Sequence, residues 1–270
     1  DRAMRLPIYQ IDAFADRVFA GNPAAVIPMD AWLPDETLRA IAAENNLAET
    51  AFLISDETGE ADYHLRWFTP VIEVDLCGHA TLATAHYLLN IAAPDKPSVS
   101  FRTRSGILTV TRDGDRLSMD FPAYQTAERE MPGLAEALGV EALASLHSPD
   151  EPERDRMILL LADEAAVRAV SPDISALKRF DDVSVCVTAP GDEIDFVSRY
   201  FAPNHGIDED PVTGSNHSIL APYWADRLGK SDLVAHQISE RGGELRCRVG
   251  GGRGEISGRA VLYLKGEIEI

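Results

Sequence analysis

The 270-residue chain is short of the features that mark the specialised protein classes. No run approaches the ~18 apolar residues that span a bilayer, and no basic segment ahead of an apolar stretch opens the chain. A soluble, cytoplasmic protein is therefore expected. Cysteine is scarce: Cys77, Cys186 and Cys247 are widely spaced and odd in number, which fits reduced thiols and argues against a disulfide framework. There is no Cys-x-x-Cys or His-x-x-x-His pair, so no metal site is expected. Gly250-Gly-Gly-Arg-Gly254 lacks both the spacing and the following helix of a phosphate loop, and no Gly-x-Ser-x-Gly nucleophile elbow exists. Positive charge is also short, with 25 basic residues against 44 acidic ones and a net charge of −19. That balance argues against nucleic acid and anionic membrane as partners, and it requires any anionic substrate to be held by local donors. Asp1-Arg2-Ala3 ahead of Met4 reads as an expression remnant.

What is present is a repeat. Trp67-Phe-Thr-Pro70 leads through an acidic loop to Cys77-Gly-His-Ala-Thr81 and an apolar run to Leu89. Tyr200-Phe-Ala-Pro203 leads through another acidic loop to Asp210-Pro-Val-Thr-Gly-Ser215 and an apolar run to Leu228. A strand end, a loop and a helix start thus occur twice, with Gly78 and Gly214 at the junctions. The simplest consequence is two related halves whose helix starts face one cleft. Alternating segments at 6–12, 24–28, 49–54, 63–68, 99–102, 107–111 and 117–121 predict strands in the first half, with helices at 35–44 and 80–89. The second run lacks polar surface and should be buried on nearly all sides. The second half predicts short helical pieces over 133–146, strands at 157–161, 183–188 and 195–200, and a helix at 216–228. A meander at 234–239, 245–249, 254–257 and 260–264 and a last strand at 266–270 follow. The fold class is α+β: two pseudo-symmetric domains, each a mostly antiparallel β-sheet or barrel wrapped around a central helix. The expected domains are 1–121 and 122–265, with the final strand at 266–270 crossing back to the first.

Helix N-termini carry unpaired N–H groups and a positive dipole end, so Gly78-His79 and Gly214-Ser215 read either as capped structural helices or as a pair of carboxylate clamps. Asp210, its backbone restrained by Pro211, is a helix cap or a base and acceptor; nearby N–H groups favour its ionised form. Glu49 begins an apolar strand and is a solvated strand-start residue or a base. His79 is a backbone-satisfied cap or a proton carrier.

Asp12-Ala-Phe14 with Gly21-Asn-Pro-Ala-Ala25, Glu49-Thr-Ala-Phe52, Phe68-Thr-Pro70, Leu76-Cys-Gly-His-Ala-Thr-Leu-Ala83 and Glu209-Asp-Pro-Val-Thr-Gly-Ser215 together resemble the phenazine-biosynthesis PhzF-like family. The resemblance covers about three quarters of the chain. It implies a diaminopimelate epimerase-like fold, a site between two similar domains, a frequent homodimer and no cofactor. It further implies that Glu49 moves the substrate proton, that His79 and Asp210 position or polarise the substrate, and that Asn22, Gly78, Gly214 and Ser215 bind it. The expected activity is a cofactor-independent isomerase acting on a small carboxylate-bearing substrate. The alternatives are an amino- or hydroxy-acid epimerase or racemase using Cys77, and a catalytically idle member that binds a metabolite or a protein. The segment His236-Gln-Ile-Ser-Glu-Arg-Gly-Gly243 departs from the family pattern and bears on substrate identity.

Overall fold

The structure, a computed structural model, describes residues 3–152 and 154–270. Asp1 and Arg2, read above as an expression remnant, and Glu153 lie outside the described residues. The chain divides into two units, the first running to Asp120 and regaining Ser257–Ile270, the second spanning Phe121–Ile256.

In the first unit, Arg5–Ala13 pairs antiparallel with Ala260–Glu269 on one side and with Asn22–Pro28 on the other. The sheet continues through Glu49–Ser55, Tyr63–Phe68, Ser98–Thr103, Gly106–Asp113 and Arg116–Pro122. Two of these pairings are parallel, Asn22–Pro28 with Glu49–Ser55 and Tyr63–Phe68 with Ser98–Thr103. Strand period 2 sends alternate side chains to opposite faces. Ile27, Phe52, Ile54 and Phe68 therefore pack on one face under Leu38, Ile41 and Ala42 of the helix Asp35–Asn45. That helix stops where Asn46 turns left-handed at φ 52° and returns its N–H to the Ala42 carbonyl.

The central helix of this unit, Gly78–His86, is buried from Gly78 through Ala85. It begins two residues before the expected Ala80, because Cys77 is extended (φ −142°) and Gly78 is already helical. A wider π-type turn, Tyr87–Ala92, closes it.

The second unit repeats the plan with different residues. Asp155–Leu160 runs parallel to Val183–Pro190, which pairs antiparallel with Phe196–Ala202. Phe196–Ala202 pairs in turn with Ile207–Asp210 and, in parallel, with Asp232–Gln237, beyond which lies Gly243–Gly250. The outer face buries Met157, Leu159, Val185, Val187, Val197 and Phe201 with Leu138, Val167 and Leu177 from three short helices. The inner face meets the helix His217–Leu228, where Trp224 donates its indole N–H to Thr188 Oγ1 at 3.0 Å. Pro222 inside that helix has no N–H to offer the carbonyl four residues back. The Ser218 carbonyl accepts instead from Tyr124 N–H at 2.9 Å.

Two sequence expectations change. Residues 133–146 are not all helical: Leu134–Leu138 is a helix, but Ala144–His147 is a strand held between Ala127–Glu128 and Asp155–Leu160. The segments 260–264 and 266–270 form one strand, because pairing with Arg5–Ala13 runs past Gly266, which stands in register opposite Ile8; the one register shift falls at Gln10/Ile11, opposite Tyr263.

Candidate active site

Glu49 opens the strand Glu49–Ser55 with Ala24 beside it in register. Phe52 and Ile54 belong to the outer face, so Glu49 falls on the inner one, toward the start of the central helix. There its Oε2 lies 3.1 Å from His79 Nε2. On the other side of the ring, Cys77 Sγ is 3.4 Å from His79 Nδ1. His79 is 5% exposed and the Glu49 side chain 13%, so the contact is largely screened from bulk water. The Glu49–His79 approach is misaligned for a hydrogen bond, and Oε2 and Nε2 have no other partner. Each therefore holds hydrogen-bonding capacity that an incoming group can use.

Burial works against a charged His79 ring. Cys77 and then Glu49, one at each ring nitrogen, outweigh it and hold the group well above its ordinary 6.5. The Cys77 thiol is pushed up from 9.0, by burial first and by the Glu49 charge second, so it stays neutral near pH 7. Cys77 thus fixes the ring from Nδ1 while Nε2 faces the carboxylate. The three ligand atoms lie within 4.8 Å of one another, close enough in principle for a cation. The thiol and the carboxylate nevertheless lie at opposite ring nitrogens, and one cation can take only one of these, which suits proton handling better than a metal cage.

Asn22, fully buried, starts the neighbouring strand two residues before Ala24 and so projects to the same face as Glu49. Gly21 just before it is a site where only glycine fits: φ is +66°, and a Cβ would lie 2.1 Å from the Ala13 carbonyl oxygen. Gly78 is the first residue of the central helix.

The second unit gathers the other expected residues. Asp210 ends the strand Ile207–Asp210, and its Oδ2 accepts from Thr213 Oγ1 at 2.6 Å. Gly214 and Ser215 form a 3-10 turn that runs into His217–Leu228. Gln237, fully buried, locks the loop: its Nε2 donates to the Asp210 carbonyl (2.8 Å) and Thr213 Oγ1 (3.1 Å), and its Oε1 accepts from Thr213 N–H (2.8 Å). Thr213 Oγ1 thereby accepts from Gln237 and donates to Asp210, which sets the direction of the carboxylate. His217 contacts the Thr213 carbonyl through Nδ1 at 2.9 Å. Burial lowers its pKa to about 4, so this helix-start histidine is neutral. The structure thus brings Glu49, Cys77 and His79 together in the first unit, and Asp210, Gly214 and Ser215 together in the second.

Sequence reasoning missed Gln237 and Arg156. Arg156 is 4% exposed in an otherwise apolar strand, and its Nη2 donates to Ser215 Oγ at 3.3 Å. The available signal was an arginine opening the run Met157-Ile-Leu-Leu160, which a central strand does not carry without a reason.

A family model described as phenazine biosynthesis-like protein, PhzC-PhzF, matches residues 11–266. An uncharacterized isomerase of Pseudomonas aeruginosa is 52% identical over 268 residues, covering 99% of this chain and 100% of the relative. A phenazine biosynthesis-like domain-containing protein of Homo sapiens is 35% identical and covers 98% of this chain and 99% of the relative. The crystal structure of a PhzF-family phenazine biosynthesis protein of Enterococcus faecalis superposes with a TM-score of 0.92 at 44% identity, covering 99% of this chain and 100% of that one. A hydroxyproline epimerase of Agrobacterium vitis shares the fold alone, with a TM-score of 0.63 at 12% identity over 98% of this chain and 93% of that one.

Proposed function

Because the chain belongs to the phenazine biosynthesis-like PhzC-PhzF family, we propose that it is an isomerase that relocates a proton on a small carboxylate-bearing acid, cyclic or unsaturated, without a cofactor. The observation that carries this reading is the buried relay Glu49–His79–Cys77, with 3.1 Å between carboxylate and ring and 3.4 Å between ring and thiol.

Glu49 takes a proton from a carbon conjugated with the substrate carboxyl group. The C–H bond breaks, its electron pair moves into an enolate-like system, and an O–H bond forms on Glu49. Glu49, its O–H open to exchange with solvent, then delivers a proton to a different carbon, which restores the carboxylate with no net oxidation. General acid–base work of this kind contributes typically ~10²–10⁴-fold. His79, charged because its pKa is raised, donates toward the developing negative charge, and Cys77 holds the ring in place. Substrate positioning falls to Asn22, Gly78, Asp210, Gly214 and Ser215. The ordered Thr213–Asp210 hydrogen bond supports an acceptor role for Asp210. A homodimeric state is carried over from the family resemblance. Among the described residues no helix is long and apolar enough to cross a membrane.

A racemase using Cys77 as a base fits less well, since the thiol is held protonated by burial and by its acidic neighbour. Small unsaturated acids incubated with the protein in deuterated buffer and screened by mass spectrometry should reveal one that gains a deuteron. Glu49→Gln should abolish that exchange while the same acid still binds; full exchange in the variant would remove Glu49 from the mechanism.

A further inference from the structure

The two repeats differ where it matters chemically. Trp67 stands opposite Ala51 and Tyr200 opposite Cys186, so the Trp67-Phe-Thr-Pro70 and Tyr200-Phe-Ala-Pro203 segments align the strands before them. Two residues earlier, Glu49 in the first repeat corresponds to Ser184 in the second. On the adjacent parallel strand, Ala24 beside Glu49 corresponds to Arg156 beside Ser184. The carboxylate of the first repeat is thus replaced by a hydroxyl, and the methyl group beside it by a guanidinium.

That guanidinium is poorly satisfied. Nη2 donates to Ser215 Oγ at 3.3 Å, but Nε and Nη1 make no hydrogen bond to the protein. Glu151 Oε2 stands 3.6 Å from Nη1, beyond hydrogen-bond reach, and is itself without a hydrogen bond. The guanidinium carbon lies 5.7 Å from the centroid of the Tyr200 ring, whose hydroxyl donates to Ser184 Oγ at 2.7 Å and offers its oxygen to the guanidinium. Asn216, fully buried on the same turn as Ser215, has only the Cys186 thiol beside its amide. Buried charge with unspent donors is costly unless an acceptor completes it. The planar fork of arginine is matched by the two oxygens of a carboxylate, and Asn216 carries a further donor on the turn of Ser215. Ser215 and Glu151 are only partly buried.

We propose that Arg156, with Ser215 and Asn216, forms a carboxylate-binding subsite within the second unit. Glu151 acts there as a competing internal anion, close enough to offset the charge and too far to satisfy the fork. The proposal does not depend on Glu49 as the base.

The test uses the full chain and formate, the smallest carboxylate, with formamide as its neutral match. The Arg156 Nε–H resonance, assigned through Arg156→Lys, should shift saturably with formate and not with formamide. The ligand-size ceiling puts the dissociation constant at about 1 mM or weaker. Arg156→Gln should weaken formate binding at least about tenfold, and Glu151→Gln should tighten it severalfold by removing the rival charge. Glu49→Gln should leave it unchanged, so loss of proton exchange and loss of this subsite are separate results. An Nε–H resonance indifferent to formate at about 100 mM, far above that ceiling, would overturn the proposal in the wild-type protein even if Arg156→Gln fails to fold.

Discussion

His217 offers a measurement in which a buried side chain can be read through pH. It sits at the start of the second central helix, fully buried, with Nδ1 on the Thr213 carbonyl and Nε2 without a hydrogen bond. Burial dominates its environment and the positive charge of Arg156 adds to it, while the Thr213 contact acts in the opposite sense; the net pKa falls to about 4. A histidine depressed in the folded state is neutral there, while the unfolded chain still takes up a proton near its ordinary 6.5. The stability it contributes is complete above that value and drains away as pH falls toward 4. At 1.36 kcal/mol per unit, a displacement from 6.5 to about 4 is worth about 3 kcal/mol across that window. Urea unfolding of wild type and His217→Gln, compared at matched pH between 7 and about 4, isolates this contribution from the many carboxylates that also titrate in acid. The variant should lose about 3 kcal/mol less than wild type on acidification. Ring NMR should show His217 neutral until pH approaches 4. A ring that titrates near 6.5, or an identical acid slope in both proteins, would refute the assignment of a desolvated, neutral imidazole.

The helix-start histidine of the first unit should behave oppositely. His79 is raised well above 6.5 by Cys77 and Glu49 against the opposing effect of burial, so its contribution is complete below 6.5 and lost as pH climbs through the raised folded value. The stability gap between wild type and His79→Gln should therefore narrow toward alkaline pH; a gap that widens would reverse the sign of the coupling. In the second unit, Gln237→Leu keeps the volume but removes the acceptor of the Thr213 N–H and one donor to the Asp210 carbonyl. At about 1–3 kcal/mol for a buried group left unsatisfied, loss of the Thr213 N–H acceptor alone should lower the opening free energy of the 210–216 loop by about 1–3 kcal/mol. Amide exchange should accelerate there and stay unchanged in Gly78–His86; acceleration spread evenly over both units would mean that Gln237 is not a local clasp.

The sequence made the secondary-structure plan legible because its period-2 runs and capped helices are strong. Asp35–Asn45 was announced by acids in its first turn and stopped by Asn46, and Gly78–His86 by its lack of any polar face. Glu49 and His79 were reachable through their motifs. What no pattern gave was their meeting at 3.1 Å, which depends on which face of Glu49–Ser55 turns inward. That choice is made by Phe52 and Ile54 packing under Leu38 and Ile41, a contact between separate elements. Ala144–His147 was misread as helical for a related reason: it is a short strand stabilised by partners on both sides, not by its own propensity.

Arg156 and Gln237 escaped for a different reason, and it bears on how the two repeats divide their work. Neither lies in a recognisable motif, since each acts through a residue that does: Gln237 through Thr213 on Asp210, Arg156 through Ser215. A motif search finds the groups that end a hydrogen-bond chain and overlooks those that begin it. The repeat itself is the better guide. Once Trp67 and Tyr200 are placed opposite Ala51 and Cys186, every inner-face position has a counterpart, and divergence between counterparts becomes visible. Cys77 is answered by Thr213 and His79 by Ser215, each pair flanking the glycine that opens the turn. Where the first repeat sets a thiol and a raised histidine around a carboxylate, the second sets hydroxyls and a buried guanidinium. On the function proposed above, the same backbone carries proton-moving chemistry in one half and anion-holding chemistry in the other, so that a residue's counterpart predicts its location but not its charge.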